Sequence, residues 1–193
     1  FSGWLMSDGY QVYRKVEKRL RCWAHLKRKA KGVSESLTPE AKEFGQKVLD
    51  IVNWLEDAIY KAREGPPRDI TEENRDLVLN LCLLCLKHED SFHEKTRALA
   101  REFLNDWNAI FTILKHPKMP LTNNEAERSL RHWVIARQIS HGTRTHEGTM
   151  AFSLLASVIE TCRLRNVRLW TYIASVVREK RKGNAVSCLP QPA

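Results

Sequence analysis

The sequence predicts a mostly α-helical chain with a few strands near its N-terminus, and three observations lead to this fold class. Two short segments within residues 1–24 have the apolar or alternating pattern of strands. Residues 38–116 carry apolar side chains at spacings of three and four, the period of an amphipathic helix. Helical spacing returns between residues 124 and 180. We therefore expect a small α/β part, a large all-helical block and further helices.

The first part of the chain is predicted to contain two strands and a short helix. Residues 1–7 form an apolar run ahead of an Asp-Gly turn signal, so the strand presents Asp8 at its C-terminal end. Residues 16–24 alternate loosely and predict the second strand. A basic helix is expected at 27–31, and Gly32 is expected to end it.

The helical block is predicted to contain three long helices. A Thr-Pro pair at 38–39 supplies an N-cap and a proline at the first helical position. Gly65, followed by two prolines, ends this helix, and Thr71 caps the next one. The segment 91–94 resembles a capping box for the third. One apolar stripe marks the first helix: Phe44, Val48, Ile51, Val52, Leu55 and Ile59.

The C-terminal part is predicted to begin with a rigid, extended linker at 116–120. A polar loop is expected at 138–146, and the tail at 181–193 is expected to be disordered. Three helices are predicted, at 124–133, at about 146–165 and at 169–180.

The charge is unevenly distributed. The chain carries a net charge of +9, which suggests a polyanionic partner. Residues 14–31 hold nine basic groups against one acidic group, whereas residues 32–116 have a net charge of −5. Residues 121–180 return to +4. Two basic segments therefore flank an acidic middle.

Composition also argues against two classes of protein. No run of about 18 apolar residues exists, so we expect no membrane span and no membrane partner. Five cysteines at irregular spacing do not form a disulfide framework, and a reducing cytosol is the expected setting. Cys82, Cys85 and His88 have the spacing of metal ligands, but they lie in a leucine-rich helix, which favours core packing.

Two carboxylates are candidates for chemistry, and each has a simpler interpretation. Glu127 falls at the third position of a helix capped by Asn124, so it suits a capping box or an ion pair with Arg131. Asp8 suits a turn. Alternatively, a carboxylate at a strand end and one on a helix can share a divalent cation such as Mg²⁺. Local patterns leave these alternatives open.

Four segments in order resemble the motifs of insertion sequence 66 family transposases. They are 3–10 (GWLMSDGY), 22–29 (CWAHLKRK), 123–131 (NNEAERSLR) and 158–162 (VIETC). The resemblance implies an RNase H-like core of the Asp-Asp-Glu type, with Asp8 as the second catalytic Asp and Glu127 as the final Glu. It also implies that residues 32–116 are a helical insertion between 1–31 and 117–180.

The resemblance further implies a metal-dependent DNA transposase that cleaves and joins DNA strands with Mg²⁺ or Mn²⁺. Its partners would be transposon ends and target DNA, and it would act as a homo-oligomer in a synaptic complex on the bacterial nucleoid in the cytoplasm. The family's first catalytic Asp lies on an earlier strand, so we expect this chain alone to lack strand-transfer activity. The candidates for contact with the phosphate backbone are Lys27, Arg28, Lys29, Arg128, Arg131 and Arg137.

Two rival interpretations remain. In a non-enzymatic helical DNA-binding module, Glu127 would only cap a helix, and binding would not depend on metal or on Asp8. An inactive transposase remnant would keep the motifs without the function.

Overall fold

The computed structural model describes residues 2–185, which are mostly helical with two short parallel strands. They fall into two compact units, unit 1 (residues 2–126) and unit 2 (residues 127–185). The strands are β1 (Leu5–Ser7) and β2 (Arg19–Arg21). The helices are α1 (Trp23–Ser34), α2 (Pro39–Arg63), α3 (Arg75–His88), α4 (Glu94–Asn105), α5 (Trp107–Lys115), α6 (Asn124–Ile139), α7 (His146–Leu164) and α8 (Leu169–Arg181).

Unit 1 is built around α2, whose predicted apolar stripe is buried along its whole length. Its start at Pro39 after Thr38 is confirmed. Gly45 permits a close approach to the end of α1, because a Cβ there would lie 2.3 Å from the backbone nitrogen of Ser34. Trp23 joins the strands to this core, since its Nε1 donates to the carbonyl of Ile110 at 3.1 Å.

The prediction for the second strand was wrong at its C-terminal end. β2 ends at Arg21, and α1 begins two residues later because Trp23 and Leu26 are buried on its core face. Gly32 does not end α1, which runs on through the buried Val33. Core packing of this helix outweighs the cost of an interior glycine, about 1 kcal/mol.

The helical block holds one helix more than predicted. The third predicted helix of this block is broken at Asp106, which separates α4 from α5. α4 is capped by His93, whose ring nitrogen accepts from the Thr96 amide, so the predicted capping box at 91–94 was wrong.

The predicted extended linker at 116–120 is a turn, in which the Met119 amide donates to the His116 carbonyl at 2.9 Å. Arg63 fixes it by donating to the carbonyls of Pro117 and Met119 at 2.7 and 2.6 Å.

Unit 2 contains most of α6 and all of α7 and α8. α6 continues to Ile139, six residues beyond its predicted end, whereas the prediction for α7 is confirmed to within one residue. Of the tail predicted to be disordered, residues 186–193 lie outside the described residues. No helix in the part of the chain that the structure describes has the length and apolar character needed to cross a membrane.

Candidate active-site residues

Asp8 lies immediately after β1, at the carboxyl end of a parallel strand pair. Its side chain is exposed, and Oδ1 accepts a hydrogen bond from the Tyr10 amide at 3.1 Å. Its carbonyl oxygen accepts from Nη2 of Arg21 at 3.0 Å. The turn is therefore held from both sides, while the carboxylate stays accessible.

Gly9 allows this turn to pack closely against Arg21. Its φ is +104°, a region that residues with a Cβ rarely adopt. A Cβ at this position would also lie 2.3 Å from Nη2 of Arg21. Glycine is therefore required next to Asp8 both by the backbone conformation and by the close approach of a buried guanidinium group.

Arg21 is the centre of a buried ion cluster that links β2 to α4 and α5. Its side chain is only 1% exposed and pairs with both Glu102 and Asp106. Arg19 donates to Oδ1 of Asp106 at 2.9 Å, and Lys29 lies 2.7 Å from Glu102. The helical block is thus tied to the strand that supports the Asp8 turn.

The pKa of the Asp106 carboxylate reflects both its burial and the charges of this cluster. Its burial alone would raise its pKa, because a charged group loses hydration inside the protein. The hydrogen bond from Arg19 and the charges of Arg21 and Arg19 outweigh that effect, so the pKa lies below the ordinary value. Asp106 is therefore ionised at neutral pH, as the paired arginines require.

Glu127 is exposed in the first turn of α6. It is assigned to unit 2, whereas Asp8 belongs to unit 1. Within residues 2–185, no group of three or more His, Cys, Asp or Glu side chains is arranged to hold a metal ion. Asp8 and Glu127 each offer carboxylate oxygens, which are the donors that Mg²⁺ prefers.

The six predicted DNA contacts differ in their surroundings. On α1, Lys27 pairs with Glu56 and Lys29 with Glu102, while Arg28 is exposed. Ion pairs within the protein thus engage two of these three cations. On α6, all three candidates are exposed: Arg128, Arg131 and Arg137.

Glu160 connects two helices of unit 2, a role the sequence did not predict although Glu160 lies in one of the quoted motifs. It accepts from Nε1 of Trp133 at 3.3 Å and lies 3.1 Å from Nε2 of His132. Its pKa is lowered, first by the hydrogen bond from Arg163. Trp133 also packs edge-on against Phe152, with ring centroids 5.7 Å apart. This contact fixes α6 against α7.

The Cys82, Cys85 and His88 group supports the core-packing interpretation. Cys85 is fully buried, and burial raises the pKa of its thiol to about 12. A thiol with this pKa stays protonated at neutral pH, as expected for a cysteine packed in the core. His88 is packed against the ring of Phe44, with centroids 4.8 Å apart.

Comparison with known proteins decides the family. The sequence profile described as "Transposase IS66 family" matches residues 1–151, a segment that contains both Asp8 and Glu127. The chain belongs to this family. The family membership predicted from the four motifs is therefore confirmed.

Curated relatives of this IS66 family chain come from Sinorhizobium fredii (strain NBRC 101917 / NGR234). The uncharacterized protein y4jO is 24% identical over 169 residues, which cover 88% of the chain and 50% of that protein. The uncharacterized protein y4jD is 25% identical over 205 residues, which cover 95% of the chain and 39% of that protein. The chain thus spans half or less of the length of these relatives. No solved structure matches it.

Proposed function

We propose that this chain carries part of the active site of an Asp-Asp-Glu transposase, with Asp8 and Glu127 as metal-binding carboxylates. The observation that carries the proposal is the position of Asp8. It is an exposed carboxylate at the carboxyl end of a parallel strand, inside the segment matched by the IS66 family. Ligand sites of α/β proteins are commonly found at that edge of a sheet.

An RNase H-like core is part of the same proposal. β1 and β2 would be two of its parallel strands, and α1 would follow them. Residues 32–116 would be a helical insertion between these elements and α6. The acidic character of this block, with its net charge of −5, supports a role outside the DNA-handling surface.

In the proposed mechanism, the exposed Asp8 carboxylate, whose Oδ1 accepts from the Tyr10 amide, would be one of the groups that hold a metal ion. Bound Mg²⁺ or Mn²⁺ would supply positive charge to the attacking and leaving oxygens of phosphoryl transfer. Glu127 offers a second carboxylate from α6.

The DNA partners follow from the same proposal. Arg128, Arg131 and Arg137 are exposed on α6, where they are available to bind backbone phosphates. The substrates would be transposon ends and target DNA in the bacterial cytoplasm, handled by a homo-oligomeric synaptic complex.

The test is a DNA-joining assay on the full-length transposase that carries this chain, with labelled transposon-end duplexes and Mg²⁺ or Mn²⁺. We expect Asp8→Asn and Glu127→Gln to abolish joining, and EDTA to do the same. Glu125→Gln is the matched control, because Glu125 is also exposed in the first turn of α6 but does not occupy the motif position.

Three outcomes separate the interpretations. Loss of joining in Asp8→Asn and Glu127→Gln, with Glu125→Gln active, supports the proposal. Full activity of Glu127→Gln would remove Glu127 from the site and leave it a helix-capping residue. DNA binding without metal-dependent joining, unchanged in Asp8→Asn, would favour the non-enzymatic binding module.

A further inference from the structure

The segment between β1 and β2, residues 10–18, exposes aromatic side chains next to Asp8. We call it the Tyr10 loop. Its single 3-10 turn, Gln11–Lys15, has no buried residue. Tyr10 is 62% exposed and Tyr13 is 40% exposed. Leaving such rings in water forgoes the burial that usually makes aromatic residues stabilising, so packing of unit 1 does not account for them.

The two rings contact each other edge to face. The Tyr13 amide donates to the Tyr10 carbonyl at 3.1 Å, and this turn brings the side chains together. The ring centroids lie 6.0 Å apart with an interplanar angle of 72°. In this edge-to-face contact, one ring covers a single face of the other. The remaining faces are free of this contact and can receive another planar group.

The Tyr10 loop carries a net positive charge. The loop contains Arg14, Lys15 and Lys18 against the single acidic residue Glu17. The Arg14 side chain is 44% exposed and its Nε lies 3.7 Å from Oδ1 of Asp106, whereas Lys15 is exposed at the surface of the loop. Aromatic faces combined with cations are the usual means by which proteins hold single-stranded nucleic acid, since bases stack while phosphates are neutralised.

Three other exposed aromatic residues of unit 1 belong to a part of the chain with the opposite net charge. Trp54, Tyr60 and Phe92 are all exposed, but they belong to the helical block, whose net charge is −5. The net negative charge disfavours binding of a polyanion to that block, although Arg63 lies over the ring of Tyr60. Exposure of an aromatic ring thus coincides with positive charge beside Asp8.

The loop is also held in a fixed relation to Asp8. The Tyr10 amide donates to the Asp8 carboxylate, and buried Arg21 donates to the Asp8 carbonyl. A group stacked on Tyr10 would therefore lie close to the proposed metal-binding carboxylate.

We propose that Tyr10 and Tyr13 form a stacking surface for an unpaired DNA nucleotide beside the phosphate that is cleaved. The surface takes single-stranded DNA, with the loop cations neutralising its backbone. This inference deepens the proposed function and rests on it for the position of the scissile phosphate, but the binding itself is measurable without catalysis.

The experiment measures binding of the 193-residue chain to a single-stranded oligonucleotide containing 2-aminopurine, in EDTA, by fluorescence quenching and anisotropy. We expect Tyr10→Ala and Tyr13→Ala each to weaken binding by roughly 5- to 150-fold and to reduce the quenching, since stacking contributes about 1–3 kcal/mol per base. Tyr10→Phe keeps the ring and should bind nearly as tightly as the wild type.

Tyr60→Ala is the matched control. Tyr60 is 48% exposed and contacts Arg63 on α2, so its removal should leave oligonucleotide binding unchanged. Salt dependence provides a second criterion. Lys15→Ala should reduce the slope of log K against log salt by about 0.7, whereas the tyrosine variants should keep the wild-type slope.

Wild-type affinity in both Tyr10→Ala and Tyr13→Ala would overturn the inference, and so would equal losses in Tyr60→Ala. Failure of the wild-type chain to bind the oligonucleotide would also overturn it. None of these results depends on metal or strand cleavage. An inactive full-length protein would refute the proposed transposase activity and leave the stacking result intact.

Discussion

The two units of this chain differ sharply in how much apolar surface they bury. In unit 1, aromatic and aliphatic side chains from β2, α1, α2, α4 and α5 form one buried cluster. In the described part of unit 2, Cys162 is the only apolar side chain that is buried. Large side chains of its helices are exposed instead: Leu130, Ile139, Met150, Leu154, Leu155, Leu164 and Trp170.

Because of this difference, the two proposed catalytic carboxylates lie in units that are stabilised by different amounts of buried apolar surface. Burial stabilises by about 25 cal/mol per Å² of apolar surface, so unit 1 has its own source of stability. Unit 2 relies more on local features, such as the Thr145 side chain that accepts from the Gly148 amide at the start of α7. Asp8 is therefore held by a packed core, and Glu127 by a lightly packed helix.

The largest expected effect comes from separating the units. A fragment of residues 2–123 should unfold cooperatively in urea, with a free energy of unfolding of about 5–15 kcal/mol. A fragment of residues 124–185 should be largely unfolded, because short helices without a buried face are marginal in water. Circular dichroism at 222 nm during urea titration measures both. A cooperative transition in the second fragment would show that unit 2 also has a stabilising core, contrary to the contrast between the two units.

Single substitutions test the same contrast within the whole chain. Phe103→Ala removes a fully buried ring from the core of unit 1 and should cost about 3–5 kcal/mol. Leu155→Ala removes a side chain that is 54% exposed and should change stability by less than about 0.5 kcal/mol. Urea midpoints give both values. Equal effects would show that unit 2 is packed in solution.

The ion cluster around Arg21 predicts a pH dependence. The pKa of Asp106 is lower in the folded protein than its ordinary value of 3.8, so its stabilisation is fully present above that value. It is lost as the pH falls through the lower folded pKa. Asp106→Asn should cost up to about 3 kcal/mol at neutral pH, because buried Arg21 loses one of its two carboxylate partners and Arg19 loses its hydrogen-bonded carboxylate.

Urea unfolding between pH 2.5 and 7 measures this effect. Asp106→Asn should lack the wild-type loss of stability below about pH 4 that this carboxylate contributes. Asp90→Asn is the control, since Asp90 is exposed and its pair with Arg101 lies at the surface, where ion pairs contribute about 0–1 kcal/mol. A control that loses as much stability as Asp106→Asn would exclude a special role for the buried cluster.

The smallest expected effect concerns the contact between α6 and α7. The Trp133 indole donates to Glu160, so its NMR signal should shift with a titration midpoint below 4.5, the ordinary value for glutamate. Arg163→Ala should move this midpoint upward, because Arg163 contributes the largest lowering. The indole signal of Trp170 serves as the internal reference. A Trp133 signal that does not titrate between pH 3 and 6 would show that the contact is absent.

Local sequence patterns predicted much of the helical structure. The stripe of α2, its Thr38-Pro39 start and the helix from His146 all follow from spacing and capping within a few residues. The strand that presents Asp8 was also predicted, since an apolar run followed by Asp-Gly is a local signal. The helical break at Asp106 was not predicted, because nothing in the neighbouring residues requires it.

In the candidate site, too, some residues were predicted from the sequence and others were identified only from the structure. Asp8 and Glu127 were identified from motifs and family resemblance, while Arg21 was seen only as one basic residue among nine in its segment. Its partner Asp106 lies 85 residues further along the chain. Local patterns do not encode a contact at that separation, so only the folded chain identifies it.

The sequence by itself determined the family, the helical character and the two candidate carboxylates. The tertiary structure decided where α1 begins, why α4 and α5 are separate and what fixes the Asp8 turn. The physical reason is the sequence separation over which each interaction acts. Helical periodicity and caps act over three or four residues, whereas burial of Trp23 and pairing of Arg21 with Asp106 depend on segments that meet only when the core has formed.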